Sequence, residues 1–409
     1  MKTYYTISLT FLLTVLFSAS CSHSLSVIPI IDMDNPTGSI DLKISDLMED
    51  ISIVPLETRS DFLLNLWTPF IISTDFIIAQ TEKGLLQFDR QGKYIKTLAF
   101  RGNGPNEYVS FLWPLVDEKR ELLYYLQYKD LGAIFCINLN TGAFSGPYRH
   151  GQPHYHPQAI DPDGYIFGFR PEIFSGPFRD STTKSNEWSS ILAYRYHPQE
   201  NKLTTIKGSR NIEGGYTSLA YGNSIMFRKN DNIFFLLPNY SDTLFMIKGD
   251  KTIPQFIIKL KNKMTGQRIG GGGNAVKVCT TGKNGMVLFK TEVVITERIA
   301  GTELLDVLFL DNENKLSVVN SLSVDLFGQT IKLSHNIEKN GRITTMPRVP
   351  IVSGMFAYMV MDPVELIPLI EKLLKDTMHN SDQRIQLERL ATNLDEYSNP
   401  VLIIGKMKW

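Results

Sequence analysis

With 409 residues the chain has ample material for a packed core, enough for two or three ordinary domains or one large all-β unit. Its 42 basic residues balance 42 acidic ones, so the charge offers no basic stripe and no nucleic-acid partner is expected. An aromatic share of 11% suits strands more than helical bundles. Of three cysteines, Cys136 and Cys279 lie in strand-like runs, where they could form one disulfide or stay as two buried thiols.

Cys21 has a different setting. Lys2 is followed by an apolar run from Tyr4 to Phe17 and by Ser18-Ala19-Ser20, the layout of a secretory signal. Small residues just before a cysteine look like a lipobox, with Ser18 where leucine is favoured. Residues 1–21 are therefore read as a lipoprotein signal peptide and Cys21 as the lipidation site; the alternative is an ordinary cleaved signal beside an incidental cysteine. The apolar run is short and interrupted by Thr and Ser, which argues against a transmembrane anchor. Residues 22–38 read as a tether. The acidic residues that flag surface export are missing after Cys21, so the expected address is the cell envelope, lipid-anchored to the outer membrane, on either its periplasmic or its surface face.

From Ile40 to Glu57 the pattern predicts alternation, a helical turn at Asp46–Asp50 and a strand at Ile51–Val54 ended by Pro55. Phe70–Ile72 and Phe76–Ala79 are short apolar strands. A hairpin follows, Leu85–Phe88 and Tyr94–Leu98 about Asp89-Arg90-Gln91-Gly92, and it leads into the Gly/Pro loop Arg101–Tyr108. Further units turn at Asn140–Gly142, Pro198–Asn201, Gly249-Asp250 and Asn312–Asn314. In the last of these, Val287–Phe289 and Val293–Thr296 read as two strands before Leu305–Leu310. A β-unit recurring at this spacing means a propeller rather than a sandwich. Five units leave a sixth blade to be shared, with Val401–Lys408 pairing beside the Ile40–Val54 region. Asp362-Pro363-Val364-Glu365 opens a helix with Ile367, Ile370 and Leu374 on one face, which Pro368 should kink or displace. A second helix runs from Ser381 to Leu394 with Ile385, Leu387 and Leu390. The fold class is thus all-β, a six-bladed propeller over residues 39–409 closed by N- and C-terminal strands. Residues 362–394 form a small helical insertion before the last strand, read as edge cover or as a partner-binding lid.

Four groups of residues carry a likeness: Ile44–Ile51 running into Val54–Thr58, Phe88–Lys93 with Gly102–Tyr108, Asn239–Leu244, and Asn399–Ile404. Together they resemble the secreted six-bladed β-propeller lipoproteins of gut-dwelling Gram-negative bacteria. In that family's Gly-x-Gly-Pro-Gly-Glu-Tyr loop the third glycine is Asn106 here, a residue that tolerates positive φ. The resemblance implies the fold and the envelope address, and by association only a link to glycan uptake.

Chemistry is sparse. His154 and His156 have strand spacing but no completing ligands, so no metal is expected, and no cofactor. Gly270–Gly273 lacks the Lys-Ser/Thr ending and helix of a phosphate loop and reads as a hairpin loop. Arg101, Glu107 and Tyr108 are the candidate loop or binding residues; their structural reading is that Glu107 caps loop N–H groups while Tyr108 packs between blades. Trp113, Tyr155, Phe174 and Trp188 could supply a sugar-stacking platform. The expected function is a non-enzymatic binding or scaffold module with a glycan or envelope protein as partner. The alternative is a carbohydrate-active lyase or hydrolase with its site at the propeller mouth.

Overall fold

The computed structural model describes residues 28–104, 106–151, 156–169, 191–207, 225–229, 233–237, 242–261, 273–281, 287–295, 301–326, 329–339, 342–375 and 381–408. Six antiparallel sheets form the blades of a propeller. Blade 1 holds Phe70–Ile72, Phe76–Gln80, Gly84–Asp89 and Tyr94–Arg101, plus a two-residue edge at Glu107–Tyr108. Blade 2 holds Leu112–Asp117, Leu122–Gln127, Asp130–Asn138 and Phe144–Arg149. Blade 3 spans His156–Ile160 to Lys202–Lys207, blade 4 spans Ile225–Lys229 to Lys251–Lys259, and blade 5 begins at Gly273–Thr281. Blade 6 is Ile351–Ser353, Phe356–Met361, Val401–Met407 and Met48–Pro55. The first strands of blades 2 to 6 follow one another around the channel, and that of blade 6 meets that of blade 1.

The ring closes as the pattern predicts, with Met48–Pro55 antiparallel to Val401–Met407 (Leu402 opposite Val54). The N-terminal segment does more than supply that strand. Ile30–Asp32, inside the stretch read as tether, runs parallel to the outer strand of blade 4, and Gly38–Lys43 runs parallel to Leu316–Leu326 of blade 5. The Ile40 region therefore edges blade 5, and only Met48–Pro55 joins the last strand. The short helix α1 is Ile44–Leu47, ending earlier than the expected turn at Asp46–Asp50. Met48 and Glu49 are drawn into the sheet opposite Met407 and Lys406, and a bulge at Asp50, which takes a positive φ of 53°, absorbs the register change.

Each junction between blades has its own apolar core. Phe70, Ile72 and Ile77 meet Leu402, Ile404 and Tyr358 between blades 1 and 6, while Ile71, Ile78 and Leu85 meet Leu123, Tyr125 and Ile137 between blades 1 and 2. Neighbours in sequence thus face opposite blades: Tyr124 and Leu126 point to blade 3, Leu123 and Tyr125 to blade 1. Cys136 is a free, buried thiol in the core between blades 2 and 3, so the disulfide with Cys279 is not formed.

Three of the hairpins leading into outer strands share one device. Asp89 Oδ1 accepts from the N–H groups of Gln91 and Lys93 (both 2.9 Å), and Asp311 Oδ1 from Glu313 and Lys315 (2.9 and 2.8 Å). Asn138 does the same for Asn140 and Thr141 (3.1 and 2.9 Å). These Asx turns fix the register of the hairpins at the positions the sequence marks.

Two departures concern blade 5. Val287–Ile295 is one continuous strand, because Lys290-Thr291-Glu292 offers no turn residue to split it. An unforeseen ribbon, Gln329–Lys339 paired with Arg342–Pro347, extends from Leu316–Leu326. The helical insertion is as expected. Helix α2 (Pro363–Lys375) is capped by Asp362 Oδ1 on Val364 N–H (2.9 Å), and α3 (Ser381–Asn393) follows. Pro368 neither displaces nor ends α2, since it sits on an exposed side where water can replace the missing N–H bond. The fully buried stripe is Leu366, Ile370 and Leu373, with Ile367 and Leu374 at its margin, packed on blades 5 and 6. On α3, Leu387 and Leu390 are buried but Ile385 is exposed.

Leu402 is fully buried in the seam between blades 6 and 1. Leu402→Ala should lower unfolding free energy by about 2–5 kcal/mol, read from the urea midpoint. Ile253→Ala, on the exposed edge of blade 4, should stay within about 0.5 kcal/mol of the parent.

Candidate functional site

Connections from outer strands to the next inner strand, and from second to third strands, emerge on one side of the ring, the upper face. The Arg101–Tyr108 loop is such a connection, from blade 1 to blade 2. Its three flagged residues come together in the loop, and each holds part of it. Glu107 Oε2 accepts from the Gly104 N–H (2.7 Å). A Cβ at Gly102 would collide with that same oxygen, and one at Gly104 would lie 2.9 Å from it. Both glycines thus leave room for the carboxylate tucked against them, and a Cβ at either would make it shift. The Arg101 guanidinium is exposed and donates through Nε to the Val109 carbonyl (3.3 Å). Tyr108 is 1% exposed, with its ring 5.5 Å from Phe111, which in turn stacks on Tyr125 at 4.7 Å. Burial pushes the Tyr108 hydroxyl up to about 12, opposed weakly by the Arg101 charge. The loop has the structural geometry set out for it, with Glu107 capping and Tyr108 wedged between blades.

The other sequence candidates fare unevenly. His154, Tyr155, Phe174, Trp188, Cys21 and Gly270–Gly272 lie outside the described residues. Trp113, at a positive φ of 48°, is half-buried against the core between blades 2 and 3. Among the described residues no group of three or more His, Cys, Asp or Glu could hold a metal ion. The buried carboxylates Asp117 and Asp161 each cap a hairpin turn and each pair with an arginine: Arg120 at 2.8 Å and Arg195 at 2.9 Å. That use is architectural, on the side opposite the loop.

The upper face is distinguished by what it exposes. Of twelve large apolar side chains exposed among the described residues, nine belong to connections, strand ends or helices on that side: Leu63, Leu66, Trp67, Phe100, Tyr128, Ile351, Val364, Ile385 and Tyr397. Two tight turns present the most exposed rings. In Asn65–Thr68, Asn65 Oδ1 accepts from Trp67 N–H (2.9 Å) and the Thr68 N–H reaches the Asn65 carbonyl (3.1 Å), leaving Trp67 89% exposed. In Asp395–Ser398, Asp395 Oδ1 accepts from Tyr397 N–H (2.9 Å), leaving Tyr397 77% exposed.

Buried Asn399 ties the two segments together. Its Oδ1 accepts from Leu64 N–H (2.7 Å), its Nδ2 donates to the Glu57 carbonyl (2.8 Å), and its own N–H donates to Thr58 Oγ1 (2.8 Å). Sequence reasoning missed Trp67 and Tyr397. The signals were there in Asn-Leu-Trp-Thr-Pro and Asp-Glu-Tyr-Ser, short capped turns with an aromatic at the corner.

One histidine of the upper face is perturbed. His150 is 5% exposed, its ring set edge-on to Tyr196 at 5.7 Å. Burial drives its imidazole down to about 4, with the Asp130 charge opposing.

The family model described as "Domain of unknown function (DUF4934)" matches residues 25–406. A Bacteroides fragilis protein inferred to be exported superposes with a TM-score of 0.56 at 12% identity, covering 93% of this chain and 100% of that one. A member of the DUF4221 family from Bacteroides vulgatus gives 0.47 at 13% identity, covering 88% and 97%. A virginiamycin B lyase from Staphylococcus aureus gives 0.37 at 11% identity, covering 87% and 99%. At these identities the likeness is one of fold, and no curated protein matches the sequence.

Gly102→Ala should displace the Glu107 carboxylate and cost about 1 kcal/mol of stability, yet cost much less in a Glu107→Ala background. A coupling near zero in that double-mutant cycle would break the link between glycine and carboxylate. His150 is held neutral in the folded chain and protonates near its ordinary value when unfolded. The unfolded state therefore binds more protons between about pH 6.5 and 4, and stability falls as pH drops through that window. Relative to His150→Gln, the parent should lose on the order of 3 kcal/mol across it, measured by urea unfolding at each pH.

Proposed function

The chain belongs to the DUF4934 family, and we propose that this member is an extracytoplasmic binding or scaffold module that works through the upper face of its propeller. The observation that carries this reading is the gathering of exposed apolar and aromatic side chains there, with Trp67 and Tyr397 at the corners of two hydrogen-bonded turns. Exposed aromatics held on rigid turns are the side chains that anchor interfaces. The fitting partner classes are a glycan, whose sugar faces stack on aromatic rings, and another envelope protein. A link to glycan uptake belongs to the same proposal.

The address is part of it. Lipidation of Cys21 would hang the propeller from a membrane by the short segment before Ile30. Among the described residues no helix is long and apolar enough to cross a membrane. The Bacteroides fragilis protein of similar fold, itself inferred to be exported, is consistent with an extracytoplasmic location.

The reading favours binding over catalysis because Arg101 and Glu107 bond the backbone of their own loop while the Tyr108 ring is buried in the core between blades 1 and 2. The test is a glycan array together with an envelope pull-down on residues 22–409, which contain every described element. A specific hit should weaken about tenfold or more in Trp67→Ala/Tyr397→Ala. Hits indifferent to both substitutions would move the working surface elsewhere. In cells, Cys21→Ser should shift the protein from the membrane to the soluble fraction, and unchanged retention would refute the anchor.

A further inference from the structure

The Trp67–Tyr397 surface has a chemical character that narrows its partner. Two leucines accompany the rings: Leu63 is 70% exposed and Leu66 41%, in the same segment as Trp67. Leu64 N–H donates to Asn399 Oδ1 at 2.7 Å, and Tyr397 stands two residues before Asn399. At no more than 3.8 Å per residue step, that contact keeps the backbones of Leu63 and Tyr397 within about 16 Å of one another. The four side chains therefore share one part of the upper face.

The polar groups beside them are engaged in holding the turns. Asn65 N–H donates to Thr68 Oγ1 (3.0 Å), and the Thr68 hydroxyl donates to Asn65 Oδ1 (3.4 Å). Asp395 N–H donates to Ser398 Oγ (2.9 Å), and the Ser398 hydroxyl donates to Asp395 Oδ1 (2.9 Å). Arg59 forks onto the Asp61 carboxylate through Nε and a terminal nitrogen (3.0 and 3.3 Å). A sugar needs directed polar partners for its hydroxyls besides a ring to stack on, and exposed leucines supply none. An aliphatic and aromatic floor suits the apolar side chains of another protein.

The charge around this floor is mostly of one sign. Residues 57–68 and 395–398 hold four carboxylates, Glu57, Asp61, Asp395 and Glu396, against the single arginine Arg59. Arg59, through its hydrogen bond, and Lys83 both act on Asp61, so positive charge is taken up there and the acidic excess falls beside Tyr397. Glu396 is exposed and forms no ion pair among the described residues. Such a surface repels a second copy of itself in an isologous dimer, repels anionic lipid headgroups likewise, and attracts a cationic partner.

We infer that this surface docks a basic amphipathic segment of another protein, with apolar side chains on Leu63, Leu66, Trp67 and Tyr397 and a lysine or arginine against Glu396. The inference rests on the upper face being the working surface, and it selects a protein over a glycan as the occupant.

The test selects a phage-displayed library of random peptides on residues 22–409 and measures the enriched peptides, made synthetically, by fluorescence anisotropy. Enriched sequences should combine two or more large apolar residues with Lys or Arg. Their affinity should fall about tenfold or more in Leu63→Ala/Trp67→Ala and severalfold in Glu396→Lys, with the thermal midpoint of both variants unchanged. No enrichment, sequences without basic residues, or indifference to Glu396→Lys would overturn the inference. Dimers that depend on Trp67 in sedimentation equilibrium would also overturn it, giving the surface to a second copy. A glycan whose binding is lost in Trp67→Ala, with no peptide bound there, would overturn it yet leave the upper-face reading standing. Peptides indifferent to Leu63→Ala/Trp67→Ala would overturn the inference and move the working surface elsewhere.

Discussion

The second strands of blades 1, 2 and 6 bury both their faces, and the rest of the structure depends on that. A strand of an open sheet can turn one face to water and alternate polar with apolar residues. A propeller blade is sandwiched between two others, so Leu123 and Tyr125 serve one junction while Tyr124 and Leu126 serve the next. Such strands read as unbroken apolar runs, and none has its interior until both neighbours are in place. The ring must therefore close. Closure falls to Met48–Pro55 against Val401–Met407, which joins the two ends of the described chain in one blade. The strap formed by Ile30–Asp32 and Gly38–Lys43 extends that join over blades 4 and 5, so the N-terminal segment ties three successive blades.

The two sides of the ring meet different demands. Several hairpin turns opposite the upper face are short and capped by Asp or Asn, and the one at Asn138 rests on the preceding blade. Lys96 donates to the Asn140 carbonyl, and buried Gln87 donates to the Leu139 carbonyl at 2.9 Å. They are fixed because they complete the seams. The upper connections cross from blade to blade and accept insertions, from the Gly/Pro loop to the whole α2–α3 hairpin. Binding surfaces commonly settle on loops of this kind, positioned by a rigid frame.

What could be read in the sequence tracks these constraints. Turns at Asp89 and Asn312 were legible because Asx capping is local, requiring residues within a four- or five-residue window. The closing strand was legible because Val401–Ile404 is apolar on both faces. The inner strands Leu112–Asp117 and His156–Ile160 were not, since each contains a proline and each borders the channel. The ribbon Gln329–Pro347 escaped because its pairing shifts from one partner to another along Leu316–Leu326, a tertiary choice with no local mark. The loop at Glu107 was found through its glycines, whose role follows from one carboxylate. Trp67 and Tyr397 were passed over because exposure is invisible until the turns beneath them are placed.

Asn399 shows why the candidate surface sits where it does. The residue is 1% exposed and immediately precedes the closing strand, separated from it by Pro400 alone. Its amide satisfies backbone groups of the segment that carries the chain from blade 6 to blade 1, and a buried amide so engaged has one orientation. The turn bearing Tyr397 ends one residue before it, and the turn bearing Trp67 begins one residue after Leu64, its hydrogen-bond partner. The two most exposed aromatics of the upper face are therefore held in relation to one another by the same contact that secures the closed ring. A surface built this way is pre-organised, since the ordering of its turns is accomplished when the propeller folds rather than when a partner arrives.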